Sequence, residues 1–226
     1  MKMRNKKRAV FAVSAIVVAI FILIIVICCA LPSCSTKLDF TAEFYYVCYK
    51  SPTDVQSAAS VSGVVHSYGG AGYIIENGGN YYVTVSCYYE ENDANSVCAN
   101  LNNKGLSCKV ICADRQKITL PPSAKNNGES YKGTLSTLRS LSVMCYDLAN
   151  GMDGNTHNQS SAKSLLGEVK TGLEGLLRAN KTNCFSQELS ALIAECDDVS
   201  HGYVFSYDVR RLQIAITDSI IHVQLY

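Results

Sequence analysis

The side chains that most often serve as general acids and bases, the histidines, are spread along the whole chain. They are His66, His157, His201 and His222. No nucleophile motif of the form G-x-S-x-G accompanies them, and the adjacent acids Asp197 and Asp198 would diverge on a helix. The sequence therefore predicts a protein that is not an enzyme and that has no cofactor.

Eleven cysteines are the other source of reactive groups. Cys28 and Cys29 lie in an apolar run near the N-terminus, which leaves nine elsewhere, an odd number. Cys108 and Cys112 lie on one expected strand, but no histidine is near enough in sequence to complete a recognised metal site, so we predict none. Many of the cysteines fall on apolar faces, where cysteine acts as a small hydrophobic residue; disulfide bonds are the alternative in an exported chain.

Tyrosines recur at the start of two similar segments, FYYVCYK at 44–50 and NYYVTVS at 80–86. Alternate side chains of a strand share a face, so the valines suit a core and the other face is polar and aromatic. That second face carries Tyr46, Cys48, Tyr82, Thr84 and Ser86. Because a tyrosine ring offers a flat apolar surface and a hydroxyl to a sugar, we predict that these five residues bind a glycan. The alternative is that the tyrosines only reflect strand propensity.

The two segments belong to a repeat with an offset of 36 residues. The offset matches Tyr45 with Tyr81, Val47 with Val83, Ala58 with Ala94, Val61 with Val97 and Gly69 with Gly105. These positions fall on a strand, along one face of the next helix and at the glycine that ends it. We therefore predict two strand-helix-strand halves that complete a single sheet.

The elements around the repeat follow the same pattern. Each half has a helix that ends in glycine, and a hairpin turn is expected at Glu76-Asn77-Gly78-Gly79, since Asn-Gly favours tight hairpins. LSCKVICAD supplies the last strand. The order is that of a ferredoxin-like βαββαβ domain over residues 41–119, with both helices on one sheet face and the other face open.

Residues from about 44 to 115 resemble a SPOR domain, the sporulation-related repeat. The halves read YYVCYKSP, and YYVTVSCY followed by ANSVCANLNNKG, similar to the family patterns YxVQVGSF and AxxxxxxLxxxG. Cys48 stands where the family has glutamine, and Lys50 and Ser86 stand where it has glycine. The resemblance implies binding to peptidoglycan, especially glycan strands stripped of stem peptides, at division or sporulation septa.

The N-terminus predicts attachment to a membrane. Residues 1–8 carry five Lys and Arg and no acid, and residues 9–31 form an uncharged, mostly apolar run of 23 residues. A helix of that length spans a hydrocarbon core of about 30 Å. We predict a cytoplasmic tail at 1–8, a transmembrane helix at 9–31 and a spacer at 32–40, with the remainder outside the cell. The alternatives are a cleaved signal peptide and a lipoprotein attached through Cys34 of LPSC.

Charge excludes nucleic acid as a partner. Without the five basic residues of the tail, 15 Lys and Arg face 19 Asp and Glu, a formal charge of −4. Binding to nucleic acid depends on basic groups that neutralise phosphates. We therefore predict no nucleic-acid partner, whereas a neutral glycan remains compatible with this charge.

The composition changes at 120–130, where Pro121, Pro122 and Gly128 predict a linker. Leucine-rich stripes at helical spacing follow from residue 131 to 226, and they indicate four helices in an antiparallel bundle. The predicted fold class is thus α+β: a transmembrane helix, a ferredoxin-like SPOR-type domain and a helical domain resembling a four-helix bundle.

The predicted function follows from these parts. The chain would be a membrane-anchored, extracytoplasmic protein that binds peptidoglycan glycan strands at a division or sporulation septum of a Gram-positive bacterium. Septal proteins would bind to its C-terminal helical region. The alternative is a membrane-anchored scaffold for proteins that has no affinity for glycan.

Overall fold

The computed structural model describes residues 36–49, 54–120, 126–181 and 184–223. The four strands are β1 (Thr36–Cys48), β2 (Tyr73–Asn77), β3 (Asn80–Tyr88) and β4 (Lys109–Leu120). The helices are α1 (Val55–Ser67), α2 (Glu91–Asn103), α3 (Gly128–Asp153), α4 (Gln159–Ala179), α5 (Phe185–Ser200) and α6 (Ser206–His222). The strands form one antiparallel sheet in the order β2-β3-β1-β4.

Two local features set the register of the sheet. Gly78 and Gly79 have φ of 59° and 75°, the left-handed conformation that a two-residue hairpin turn needs between β2 and β3. Between β1 and β3 the register shifts, because Val47 lies opposite Ser86 whereas Cys48 lies opposite Thr84. This β-bulge turns Ser86 towards the face of Val47.

The first face of the sheet packs against α1 and α2. Val47 and Val83 are fully buried there, and so are Ala58 of α1 and Ala94 of α2, which the 36-residue offset equates. Gly69 and Gly105, the glycines after the two helices, have φ of 82° and 86°. Equivalent positions of the two halves therefore have equivalent surroundings.

The second face of the sheet is covered by the C-terminal helices. The Tyr46 hydroxyl donates a hydrogen bond to Thr217 Oγ1 of α6 at 3.0 Å, and Gln213 Nε2 of α6 donates to the Cys87 carbonyl at 3.2 Å. Helices α3 and α6 contact the strands and pack along each other, while α4 packs against α3 and α5, and α5 packs against α6. One hydrophobic core runs from Phe44 in the sheet to Leu173 in α4.

The end of α6 is attached to β4 by a single side chain. The Arg115 guanidinium donates hydrogen bonds to the carbonyls of Ile220 and Ile221 through Nη1, at 2.8 and 3.1 Å, and to Val223 through Nη2, at 2.7 Å. The last carbonyls of a helix have no partner within the helix, so a cation is well placed there. Arg115 therefore fixes α6 across the sheet.

The predicted fold class is wrong. Its four C-terminal helices were expected to form a separate bundle beside a sheet with an open face, but α3 and α6 lie on that face, and all four helices share one hydrophobic core with the sheet. Across the described residues, no helix combines the length and apolar character needed to cross a bilayer. Residues 9–31, where the transmembrane helix was predicted, lie outside the described part of the chain.

The segment boundaries also differ from those expected. Strand β1 begins at Thr36, so Leu38 and Phe40 of the predicted spacer are buried, and α3 begins at Gly128, inside the predicted linker. The extension of β1 pairs with the extended end of β4, where Leu38 lies opposite Ile118. These added pairs bring apolar residues beneath α3, which explains why the strands continue.

Candidate functional site

The five residues predicted to bind glycan are not at the surface. Their exposed fractions are 1% for Tyr46, 0% for Cys48, 9% for Tyr82, 0% for Thr84 and 4% for Ser86. Tyr46, Cys48, Tyr82 and Thr84 do share a face, as predicted, but α6 covers it. Ser86 lies on the opposite face because of the bulge. The prediction that this face of the sheet is open is therefore wrong, because these side chains lie in the interior of the structure.

The buried tyrosine pair also lacks the equivalence that the repeat suggested. The Tyr46 side chain is fully enclosed, and its hydroxyl is hydrogen-bonded to Thr217. Tyr82 is slightly more exposed, at 9%, and the Lys109 ammonium lies 4.4 Å from its ring centroid. Burial raises the pKa of the Tyr46 hydroxyl well above its usual value. This phenol therefore stays neutral and acts as a hydrogen-bond donor.

The histidines lie in separate places. His66 Nε2 is 3.7 Å from an Asp208 carboxylate oxygen, and His222 Nδ1 is 2.9 Å from one of Asp218. His157 lines a cleft described below. Among the described residues, no group of three or more His, Cys, Asp and Glu side chains is arranged to hold a metal ion.

Cysteines at seven described positions are free thiols: Cys48, Cys87, Cys98, Cys108, Cys112, Cys145 and Cys196. Burial raises the pKa of Cys87 to about 12, and burial is also the main reason that the pKa of Cys196 is raised to about 11. The exposed Cys112 also has a pKa raised to about 11, by desolvation and by its hydrogen bond to Glu43. None of these three thiols has the lowered pKa that marks a reactive nucleophile.

The most prominent exposed aromatic group lies before and at the start of α6. Tyr203 and Phe205 have 65% and 42% of their surface exposed, and their ring centroids are 4.8 Å apart. Phe205 stacks on Tyr207 at 5.0 Å with the planes 6° apart, and the His66 ring meets Tyr207 edge-on at 4.4 Å. We call Tyr203, Phe205 and Tyr207 the aromatic row.

The loop that carries the aromatic row is held by one glutamine. Gln159 Nε2 donates to the Val204 carbonyl at 2.6 Å, and the Val204 N–H donates to Gln159 Oε1 at 2.9 Å. Val204 is fully buried. Because neighbouring side chains of an extended segment point in opposite directions, burial of Val204 turns Tyr203 and Phe205 outwards. The two rings are thus presented on a fixed backbone.

The aromatic row borders a polar cleft of about 430 Å³. Its lining residues are Met152, Asn155, His157, Asn158, Gln159, Tyr203, Val204, Phe205 and Ser206. The opposite wall is formed by the end of α3 and the loop from α3 to α4, in which Asn155 has a φ of 58°. Gly151, near the end of α3, lies so close to the His157 ring that a side chain at this position would collide with it. Asn158 caps α4 by accepting from the Ser161 N–H at 3.0 Å.

Tyr203 also borders a second, more charged hollow of about 200 Å³. Glu195, Asp198, His201, Asp208 and Arg211 line it, and Arg211 Nε donates to Glu195 at 2.7 Å. Desolvation raises the pKa of Asp208 from its usual range. Tyr203 therefore lines both hollows.

Sequence reasoning missed this cleft for an identifiable reason. Phe205 is spaced four residues before Val209 and so fits the apolar stripe of the last predicted helix, whereas α6 starts at Ser206. The alternation Tyr203, Phe205, Tyr207 around an aliphatic Val204 has the period of an extended segment. That change of period was the available signal.

No family model, no curated protein and no solved structure matches this chain. The resemblance to SPOR domains therefore rests on the sequence motifs quoted above.

Proposed function

We propose that this chain is a glycan-binding protein whose binding site is the cleft beside the aromatic row. The observation that carries the proposal is the pair of exposed rings, Tyr203 and Phe205, fixed at the rim of a cleft whose other wall is polar and uncharged. A sugar ring presents an apolar face and a ring of hydroxyl groups. Aromatic faces and neutral amides complement these two features.

The polar wall has free hydrogen-bonding capacity. Within the described part of the chain, the side-chain amide of Asn155 and the His157 ring make no hydrogen bond, although both line the cleft. Both groups offer a donor and an acceptor, as sugar hydroxyls do. Because Gln159 and the cap at Asn158 fix the two walls, binding would require little ordering of the protein.

Peptidoglycan glycan strands remain the proposed ligand, and a septal membrane the proposed location. The support for both is in the sequence: the SPOR-like motifs, the basic residues 1–8 and the apolar run 9–31. The formal charge of −4 for the chain beyond residue 8 is compatible with a neutral polymer and disfavours a polyanionic one.

The second candidate function is a scaffold that binds proteins, and the outer surface of α1 favours it. From Val55 to Gly72 the only ionisable side chains are His66 and Tyr68, and Val55, Val64 and Tyr68 are 54%, 46% and 75% exposed. An uncharged surface with exposed apolar groups is typical of a protein interface. The cleft and this surface make different predictions, which one experiment can separate.

The test is cosedimentation of the full-length chain with purified peptidoglycan, with and without stem peptides. We expect Tyr203→Ala combined with Phe205→Ala to weaken binding about tenfold or more, because stacking contributes on the order of 1 kcal/mol for each ring. The matched control is Tyr68→Ala, which removes a more exposed ring from α1 and should leave glycan binding unchanged.

Two results would contradict the proposal. If the folded double variant sediments with glycan as well as the parent chain, the cleft is not the site. If the parent chain does not sediment with either form of peptidoglycan, the glycan function itself fails and the scaffold becomes the better candidate.

A further inference from the structure

Two cysteines lie close to each other where the end of α2 connects to β4. Cys98 of α2 is 8% exposed, Cys108 is half-buried, and both belong to the small apolar cluster that α2 forms against Val47 and Tyr88 of the sheet. The chain reverses between them at Gly105, whose φ is 86°. The reversal is closed by a hydrogen bond from the Leu106 N–H to the Leu101 carbonyl at 3.0 Å.

One side chain, Asn102, contacts both cysteines. Its Nδ2 lies 3.6 Å from Cys98 Sγ and donates to the Cys108 carbonyl at 3.1 Å, while its Oδ1 accepts from the Cys108 N–H at 2.6 Å. The Cys98 thiol and the Cys108 backbone are therefore neighbours of the same amide. The pKa of Cys108 is raised first by burial and second by the Cys98 thiol, which is a further sign of their proximity.

We propose that Cys98 and Cys108 are a site of covalent modification, at which a disulfide bond closes the turn between α2 and β4. The two thiols lose two protons and two electrons as the Sγ–Sγ bond forms. The thiolate of Cys108, the more exposed of the two cysteines, attacks one sulfur of an external disulfide such as oxidised glutathione, which forms a mixed disulfide and releases one glutathione thiol. The Cys98 thiolate then attacks Cys108 Sγ, which forms the Cys98–Cys108 bond and releases the second glutathione thiol, so that glutathione has taken up the two electrons.

Five of the other described cysteines lack one of these features. Cys48 and Cys87 are fully enclosed in the core beneath α6, and Cys145 and Cys196 are enclosed among the C-terminal helices. An oxidant in solution cannot reach those four thiols without unfolding. Cys112 is exposed, but its hydrogen bond is with Glu43. Cys98 and Cys108, in contrast to these five, have a common side-chain neighbour, and Cys108 is open to solvent.

The test uses Lys104, which lies between the two cysteines. The full-length chain is incubated with oxidised glutathione, its remaining thiols are alkylated, and it is digested with trypsin without reduction. We expect peptides 51–104 and 105–109 to be recovered as one linked species, two hydrogens lighter than their sum. Reduction should separate them. Cys98→Ser and Cys108→Ser should each abolish the linked species.

Cys112→Ser is the matched control, since it removes an exposed thiol from β4, the strand that begins directly after Cys108, and should leave the linked species unchanged. Incubation in urea is the second control, because unfolding should replace this single link by several. The proposal is overturned if both thiols of the folded parent chain are still alkylated after oxidation. It is equally overturned if Cys108 ends as a stable mixed disulfide with glutathione, or if the link persists in Cys98→Ser.

Discussion

Thr217 has three hydrogen-bond partners in the interior of the molecule, of which Cys87 Sγ, at 3.9 Å, is the most distant. Its Oγ1 donates to the Ile214 carbonyl within α6 at 2.9 Å and accepts from the Tyr46 hydroxyl of β1 at 3.0 Å. Both side chains are essentially unexposed. A buried hydroxyl without a partner is costly, so this pair fixes how α6 sits on the sheet.

Two substitutions at Tyr46 should measure separately how much its hydroxyl and its ring contribute to stability. We expect Tyr46→Phe to lower the free energy of unfolding by about 0.5 to 1.5 kcal/mol, the usual contribution of one hydrogen bond, since Thr217 keeps its bond to Ile214. Tyr46→Ala should lower it by about 3 to 5 kcal/mol, because a large cavity forms in the core. Urea denaturation followed by circular dichroism measures both values. If the alanine variant were as stable as the parent, the ring could not lie in the core.

At the same scale, the sequence predicted which side chains of a strand share a face, but it did not predict which elements pack against each face. Val47 and Val83 lie in a core, as their alternation indicated, and Tyr46 and Tyr82 do lie on the other face of the sheet. Ser86 lies elsewhere because one extra residue in β3 shifts the register. Such a bulge has no reliable sequence signal here, since β3 contains no glycine.

Among the elements, α6 is the one that determines the architecture. Its apolar stripe, Val209, Leu212, Ile216 and Ile220, was evident in the sequence, but Gln213 and Thr217 beside the stripe are fully buried too. A helix buried on more than one side contacts two layers, and α6 lies between the sheet and the other helices. The periodicity predicted the helix, whereas its polar buried residues gave no indication of their partners in β1 and β3.

Arg115 should be necessary for this placement of α6. Arg115→Ala removes three partly buried hydrogen bonds to the carbonyls at the end of the helix. Charge-assisted hydrogen bonds contribute about 1.5 to 3 kcal/mol, so we expect a loss of about that size in the free energy of unfolding. Hydrogen exchange of the amides in α6 should also accelerate at its C-terminal turns first.

Arg139→Ala is the matched control, because Arg139 is an exposed arginine on the outer surface of α3. Substitution of such surface residues usually changes stability by less than about 0.5 kcal/mol. Equal losses in the two arginine variants would show that the charge of the chain, and not the cap, is responsible.

At the scale of the whole molecule, the N-terminal sheet cannot be separated from the C-terminal helices without exposing its second face. Phe44, Tyr46, Ile118 and Leu120 of the sheet lie in one core with the residues of α3 to α6. The linker composition at 120–130 predicted a boundary between independent units, and composition carries no information on whether the units then pack together. The proposed binding surface differs accordingly from the predicted one: it is a cleft between residues 152–159 and 203–206, and no strand of the described sheet contributes to its lining.

A fragment of residues 36 to 120 should therefore not fold by itself. Burial of a large apolar side chain stabilises a protein by about 1.5 to 3 kcal/mol, and the fragment would expose at least the four named above. That loss equals most of the 5 to 15 kcal/mol by which domains are typically stable. We expect the fragment to show no cooperative urea transition and no fixed near-ultraviolet circular dichroism, while residues 36 to 226 show both. A cooperative transition in the fragment would mean that the sheet with α1 and α2 is complete without α6, and that the cover on Tyr46 is dispensable for folding.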